Sequence, residues 1–559
     1  MNSTYLLPHL VFASAQQYPK NLALTYADKS LSYKELAQEI SQFANCLLSF
    51  NLERQERVGI YLEKRFEMVI SAFGTAHAGA VFVPINPLLK PEQVSYILAD
   101  CNVKTLVTST ERLPQLIKSL KVCPDLCRII LTSEPDEMIS EELLRPLQGK
   151  FGTIPVYSWK QLIKSAYTTP PASLLNCILQ PQGHRVIDTD MVAILYTSGS
   201  TGKPKGVVLS HRNMVAGAKS VSTYLENNSQ DTLLAALPLS FDAGFSQLTT
   251  AFHVGARVVL INYLLPRDVL NAIVREKVTG LTAVPPLWIQ LTQLKWPESV
   301  TQHLRYFANT GGRMPLETLK TLRQNLPQTK PYLMYGLTEA FRSTFLPPEQ
   351  VDLRPDSIGR AIPNAEILIL NDQGQKCKPH EPGELVHRGA LVGMGYWNDP
   401  EKTAERYRPL PVGVGGREAG LMIPEMAVFS GDTVQCDEEG YIYFIGRKDE
   451  MIKTSGYRLS PNEVEEVIHQ SRLVEEVAVF GVPHPTIGQA IILVAKKTND
   501  PKINQDQILN FCREKMPSYM VPAVIDLRDQ SLPRNPNGKI DRKALSLEFY
   551  DLYTKQKAS

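Results

Sequence analysis

The stretch "YTSGSTGKPKGVVLSH" runs from Tyr196 to His211. It begins with hydroxyl side chains, glycines and the lysines Lys203 and Lys205, and then turns apolar. By itself a Ser/Thr/Gly run reads as a solvated linker. The flanks argue otherwise. "MVAILY" (191–196) before it is short, apolar and rich in β-strand formers, and "GVVLSH" (206–211) after it has the same character, so both are expected to be buried strands. A loop pinned at both ends can turn its backbone N–H groups and hydroxyls toward an anion, and its glycines let the backbone come close. The expectation is a loop that grips phosphate. It is not a Walker A loop, because no glycine in the run has the glycine-lysine partner five residues on that the pattern needs.

The whole chain sets the frame. At 559 residues it exceeds one core, and three or more structural units are expected. Hydrophobic residues make up 43% and charged residues 21%, an ordinary globular balance. Lys and Arg number 59 against 57 Asp and Glu, so no basic surface for nucleic acid is implied. No apolar run reaches the ~18 residues needed to cross a bilayer. The N-terminal stretch lacks the basic start of a signal peptide. The eight cysteines are scattered without a zinc pattern, which suits a reducing cytoplasm.

Helical and strand patterns alternate from the beginning. Ser32 and Glu35 form a capping box, followed by Leu36, Ile40, Phe43, Leu47 and Phe50 at helical spacing. "RVGIYLE" (57–63) and "AVFVPIN" (80–86) read as strands around the helical "EMVISAFGTAHAG". This βαβ rhythm predicts an α/β fold with a largely parallel sheet. The region 133–188 reads as variable surface, and "LPVGVGGREAG" (410–420) as a loop. At Ser460-Pro461-Asn462-Glu463 an N-cap, a first-turn proline and a capping-box glutamate announce a new helix. Residues 1–446 are therefore expected to form a large N-terminal unit, and 447–559 a small α+β domain.

Further segments bear on the phosphate loop: "NTGGRMP" (309–315), "YGLTEA" (335–340), "SGDTV" (430–434) and "PRNPNGKID" (533–541). Each alone is a turn or a strand end. In this order, with "SGDTVQCDEEGYIYFIGRKDEMIKTSGYRLSPNEVE", they resemble the adenylate-forming superfamily of acyl- and aryl-CoA synthetases, luciferases and amino-acid adenylation domains, over nearly the whole chain. The variant "GREAGLMIPEMAVFSGD" is similar to stand-alone AMP-forming ligases associated with exosortase-A systems.

The resemblance implies a two-step reaction. A carboxylate attacks the α-phosphate of ATP to give acyl-AMP and pyrophosphate. The acyl group then passes to a thiol, that of CoA or of a carrier protein's phosphopantetheine. Such chemistry is mostly positioning and charge stabilisation. By resemblance, Thr197, Ser198, Gly199, Ser200, Thr201 and Gly202, with Lys203 and Lys205, would hold the β- and γ-phosphates. Glu339 would hold Mg²⁺, and Thr338 would donate to the α-phosphate. Tyr335 and the Gly311-Gly312-Arg313 turn would meet the adenine. Asp432 would accept from the ribose hydroxyls with Arg447 nearby, and Lys539 would bridge the acid and the α-phosphate. The small domain would rotate about Asp449, withdrawing Lys539 and bringing Lys453 and Gly456 in for the thioester step.

The acid is less defined. "LPLSFDAGFSQL" (237–248) has no histidine, and Asp242 matches the aspartate that pairs with a substrate ammonium in peptide synthetases. A lone buried charge needs a partner, and an amino acid would supply one. Alternatively, Asp242 caps the following helix and the substrate is a fatty or aryl acid. No phosphopantetheine attachment motif follows Lys539, so a carrier protein would act in trans. Two remoter readings remain: a luciferase-like oxidative enzyme, marked by a requirement for O₂, and a non-catalytic adenylate binder, to which Lys539, Glu339 and Asp432 would all be superfluous.

Overall fold

The computed structural model describes residues 4–132, 148–149, 152–165, 183–197, 204–415, 420, 422–447, 450–454, 457–498, 503–535 and 538–553. Among these the fold is α/β, built on two large sheets with helices packed between them and a separate C-terminal sheet.

Local chemistry starts the elements where the sequence reading puts them. Ser32 accepts from the backbone N–H of Glu35, and Glu35 accepts in return from the N–H of Ser32 at 2.8 Å. This reciprocal cap starts the helix Tyr33–Ser49, which buries Leu36, Ile40, Phe43 and Leu47. The strand Arg57–Tyr61, the helix Phe66–His77 and the parallel strand Val81–Pro84 complete the expected βαβ unit.

The first sheet has eight strands among the described residues. Its order is Gly395–Tyr396, Lys205–Ser210, Met191–Thr197, Val81–Pro84, Arg57–Tyr61, Val103–Ser109, Arg128–Thr132 and Val156–Ser158. The strand after the glycine-rich run ends at Ser210, one residue short of the expected end. Ser210 caps the next helix, His211–Tyr224, through Asn213, and this local bond draws His211 out of the strand. The second sheet holds a parallel run ordered Leu22–Tyr26, Arg257–Leu260, Thr232–Ala235, Gly280–Ala283, Tyr306–Asn309 and Lys330–Tyr335. Antiparallel strands, among them Met426–Cys436 and Ile442–Arg447, extend it.

The largest apolar cluster joins both sheets through the helices Tyr33–Ser49, Phe66–His77, His211–Tyr224 and Asp242–Val254. Phe245 stacks on Phe73 at 5.8 Å and on Phe82 at 5.0 Å, which ties the helix Asp242–Val254 to the first sheet. That helix also borders the parallel run of the second sheet, so its N-terminal end is fixed from both sides.

A five-strand sheet begins at Ile452–Thr454, after the last strand of the large sheet ends at Arg447. The expected hinge, Asp449, lies between them and outside the described residues. The helix Pro461–Ser471 opens with the expected capping box of Ser460 and Glu463. The 133–188 stretch is mostly outside the described residues.

Candidate functional site

The glycine-rich run is closed by a strand pair. Thr197 and Lys205 face each other across the antiparallel strands Met191–Thr197 and Lys205–Ser210. Ser198, Gly199, Ser200, Thr201, Gly202 and Lys203 lie outside the described residues. Lys205 marks where the loop returns. Its ammonium sits 5.4 Å from the ring centre of Tyr396, on the strand Gly395–Tyr396 that pairs with the same hairpin.

Tyr396 carries the site onward. Its hydroxyl donates to Glu339 Oε1 at 2.5 Å. Burial and the Glu339 carboxylate both push the Tyr396 phenol up, so it stays a donor. The backbone of Glu339 is held as well, its carbonyl accepting from Gly393 N–H at 2.8 Å. Thr338 and Glu339 lie on the short 3₁₀ turn Thr338–Ala340, directly after the strand Lys330–Tyr335 and its Gly336-Leu337 exit.

Arg406 links this end to the next. It ends the helix Pro400–Arg406, donates to the Phe429 carbonyl at 2.9 Å, and interacts with Tyr396, Glu339 and Arg447. Gly431, at φ +70°, makes room for it, because a Cβ there would lie 2.6 Å from Arg406 Nη1. Asp432 is the next residue. It is 6% exposed, pairs with Arg447 at 3.0 Å and accepts from the Tyr335 hydroxyl. Burial raises the Asp432 carboxyl above its ordinary value, although Arg447, Tyr335, Arg406 and Lys539 all favour its charge. Tyr335 thus meets the Asp432 carboxylate through its hydroxyl, besides offering a ring beside Phe444.

Lys539 arrives from the C-terminal domain. Its Cε would lie 3.8 Å from a Cβ built on Gly311, whose φ of +75° turns the chain tightly. Its charge interacts with Asp242, Asp432, Arg447 and Glu450. Burial of the ammonium, with the Arg447 charge, lowers its pKa, and Asp242, Asp432 and Glu450 oppose the lowering. The residue as a whole is still open to solvent, which moderates the effect without changing its direction.

Asp242 corrects the sequence argument. Its charge is not alone, because the Lys539 ammonium lies within electrostatic reach of it. Nor is it the helix cap. Phe241 is the N-cap of Asp242–Val254, and Asp242 is the first helical residue with no capping hydrogen bond. Its carboxylate suits the positive end of the helix dipole instead.

Arg313 and Lys453 are not drawn in. Arg313 points toward Asp356 at 4.0 Å and toward Glu466 of the helix Pro461–Ser471 at 3.8 Å. With the Arg472–Glu317 pair, that contact holds the C-terminal domain where Lys539 reaches the site. Lys453 is exposed on the strand Ile452–Thr454, and Gly456 lies outside the described residues. Gly312 stays in the turn, its carbonyl accepting from Asn309 Nδ2 at 2.8 Å.

The sequence reading missed Tyr396, Arg406 and Arg342, the last a buried cation beside the Gly311 turn. "GYWNDPEKTAER" (395–406) carries a helix-start signal at Asp399-Pro400, but nothing in it aims the tyrosine or the arginine at Glu339. Together Lys205, Glu339, Arg406, Asp432, Arg447, Lys539 and Asp242 form a run of interleaved cations and carboxylates. That donor set complements a nucleotide with its polyphosphate. Among the described residues no three His, Cys, Asp or Glu cluster as a metal cage. A divalent cation at Glu339 would complete its shell with phosphate and water oxygens, as Mg²⁺ does.

Known proteins match this arrangement. The chain is 29% identical over 95% of its length to a long-chain-fatty-acid–CoA ligase of Escherichia coli O157:H7, covering 92% of that protein. It is also 29% identical to part of a plipastatin synthase of Bacillus subtilis (strain 168), over 96% of this chain and 13% of that one. Its fold superposes on an anthranilate CoA ligase in complex with anthranoyl-AMP, with TM-score 0.82 and 25% identity, covering 99% of this chain and 98% of that one. The AMP-binding enzyme model matches residues 11–397 and the AMP-binding enzyme C-terminal domain matches 463–539. The chain belongs to the AMP-binding enzyme family and is an AMP-forming ligase.

Proposed function

We propose that the chain activates an amino acid as its acyl-adenylate and transfers it to a phosphopantetheine thiol, of CoA or of a carrier protein in trans. The observation that carries this reading is that Lys539, at the Gly311 turn, interacts electrostatically with the Asp242 carboxylate. An amino acid is a zwitterion, and the pair offers a carboxylate to its ammonium and an ammonium to its carboxylate.

The remaining roles follow from charge. Asp432, buried and steadied by Arg447, is suited to accept from ribose hydroxyls. Lys205 and Arg406 suit the phosphates, with the Thr197–Lys203 loop expected to add backbone donors. Glu339, oriented by Tyr396, is the residue that would hold Mg²⁺, which neutralises charge on the leaving pyrophosphate when bound. Lys539 offsets the repulsion between the attacking carboxylate and the α-phosphate. For the thioester step, Asp449 is proposed as the pivot, with Lys453 and Gly456 replacing Lys539.

A fatty acyl-CoA ligase is the second reading, favoured by the Escherichia coli relative. ATP–pyrophosphate exchange across amino, aryl and fatty acids separates the two. Preference for an amino acid over its des-amino analogue supports the proposal, and preference for palmitate overturns it. The acceptor is then read by thioester formation on CoA against a phosphopantetheinylated carrier.

A further inference from the structure

A cavity runs along the helix Asp242–Val254, lined there by Ala243, Ser246, Gln247 and Thr250. These residues recur every three or four positions, so they share one face. From Ala243, beside Asp242, to Thr250 that face extends about 10 Å at ~1.5 Å per residue. Leu234, Thr282, Tyr306 and Met334 of the large sheet close the opposite side. The cavity holds little more than a water or two as it stands.

Arg342 also lines this cavity and is 3% exposed. Among the described residues its guanidinium forms no ion pair. Its Nε has no hydrogen-bond partner, and Nη1 has only a long 3.5 Å contact to Thr310 Oγ1. Gln247 Oε1 and Thr250 Oγ1, on 6% and 2% exposed residues of the same lining, have no partner either. Guanidinium groups remain charged, and a buried charge without a counter-ion is costly. The backbone is strained to deliver it. Phe341 has φ +56° and ψ −37°, and Arg342 N–H bonds back to Ala340 at 2.6 Å. A tight turn of that kind on a non-glycine residue persists where the surroundings hold it, and such strain clusters at ligand clamps.

We propose that the activated acid carries a second, distal carboxylate, which Arg342 receives in this cavity with Gln247 and Thr250 as polar neighbours. Thr310, the contact of Arg342, immediately precedes Gly311, which Lys539 approaches. The two cations thus meet neighbouring residues of one turn, an arrangement that suits the two ends of a short dicarboxylic acid. With Asp242 the natural member of that class is an acidic amino acid. The inference rests on the acid-activating function proposed above and adds the substrate class.

The test is ATP–pyrophosphate exchange by the full-length chain with length-matched pairs: glutarate against valerate, L-glutamate against L-norvaline, and palmitate. Wild type should prefer the dicarboxylate of each pair. Arg342→Gln should lower kcat/KM for the dicarboxylates by roughly 10²-fold or more, as expected when a buried charge partner is removed. It should change the monocarboxylates and the KM for ATP little, and Arg342→Lys should recover part of the loss. If Arg342→Gln does not fold, the wild-type preference within each pair decides. Wild-type preference for valerate, norvaline or palmitate overturns the inference while leaving acid activation standing, as does an equal loss on both members of a pair. If no acid supports exchange, the proposed function falls and this inference falls with it.

Discussion

Asp432 and Arg447 face each other as cross-strand partners on Met426–Cys436 and Ile442–Arg447, with Asp432 Oδ1 and Arg447 Nη1 3.0 Å apart. A carboxylate that must accept from ligand hydroxyls has to be ionised, yet burial works against its charge. Arg447 is the largest opposing influence. Arg447→Ala should therefore raise the Asp432 pKa further. The acid limb of kcat/KM for ATP should move to higher pH, and the loss should shrink as pH rises. An unshifted acid limb would show that Asp432 does not govern ATP use.

Lys539→Ala tests charge neutralisation at the point of attack. An interaction felt mainly in the transition state lowers the rate rather than ground-state binding. Exchange should fall roughly 10²–10³-fold, by analogy with removal of one oxyanion donor. ATP affinity, read by calorimetry, should stay nearly intact. Exchange at the wild-type rate would remove Lys539 from the mechanism.

Tyr396→Phe removes the hydroxyl that orients Glu339 while keeping the ring beneath Lys205. Groups that hold a metal ligand in place typically contribute ~10–100-fold in metal affinity. The Mg²⁺ concentration for half-maximal exchange should rise by about that factor, with the melting temperature little changed. An unchanged Mg²⁺ titration would argue that Glu339 does not carry the cation.

These contrasts mark what the sequence makes legible. The hairpin around the glycine-rich loop and the caps at Ser32 and Ser460 depend on neighbours within a few residues, so pattern alone finds them. Tyr396, Arg406 and Arg342 acquire meaning only when sheets and strained turns bring them beside Glu339, Asp432 and the cavity along Asp242–Val254. Asp242 shows the same limit. Read along the chain its charge is alone, and only the C-terminal domain supplies Lys539.

Glu39 links stability to pH. Burial, with Glu67 and Glu35 nearby, raises its carboxyl to about 7. A carboxyl raised on folding binds more protons in the folded state than in the unfolded one between about pH 4.3 and 7. Its contribution is therefore favourable in acid and lost as pH climbs through that window. Glu39→Gln should stabilise the protein at pH 8 by at most ~3.5 kcal/mol, the value of the shift at 1.36 kcal/mol per unit, and leave it little changed at pH 4. Chemical denaturation at both pH values measures this, and equal effects would reject the assignment.

Asp242→Asn separates substrate recognition from tuning of Lys539. Among the carboxylates, Asp242 does most to hold up the Lys539 pKa against burial. Without it Lys539 should lose its proton at lower pH, so the alkaline limb of exchange should move down for every acid. An amino acid should suffer a second effect, because its ammonium loses its own partner. Breaking a desolvated charge pair costs ~3–5 kcal/mol. At neutral pH, where Lys539 is still charged, KM for the amino acid should rise by orders of magnitude, while KM for ATP and for the des-amino acid barely changes. Exchange measured from pH 6 to 10 with a matched pair resolves the two effects. If the alkaline limb shifts but both acids respond alike at neutral pH, Asp242 serves Lys539 alone, and the enzyme does not read the amino group.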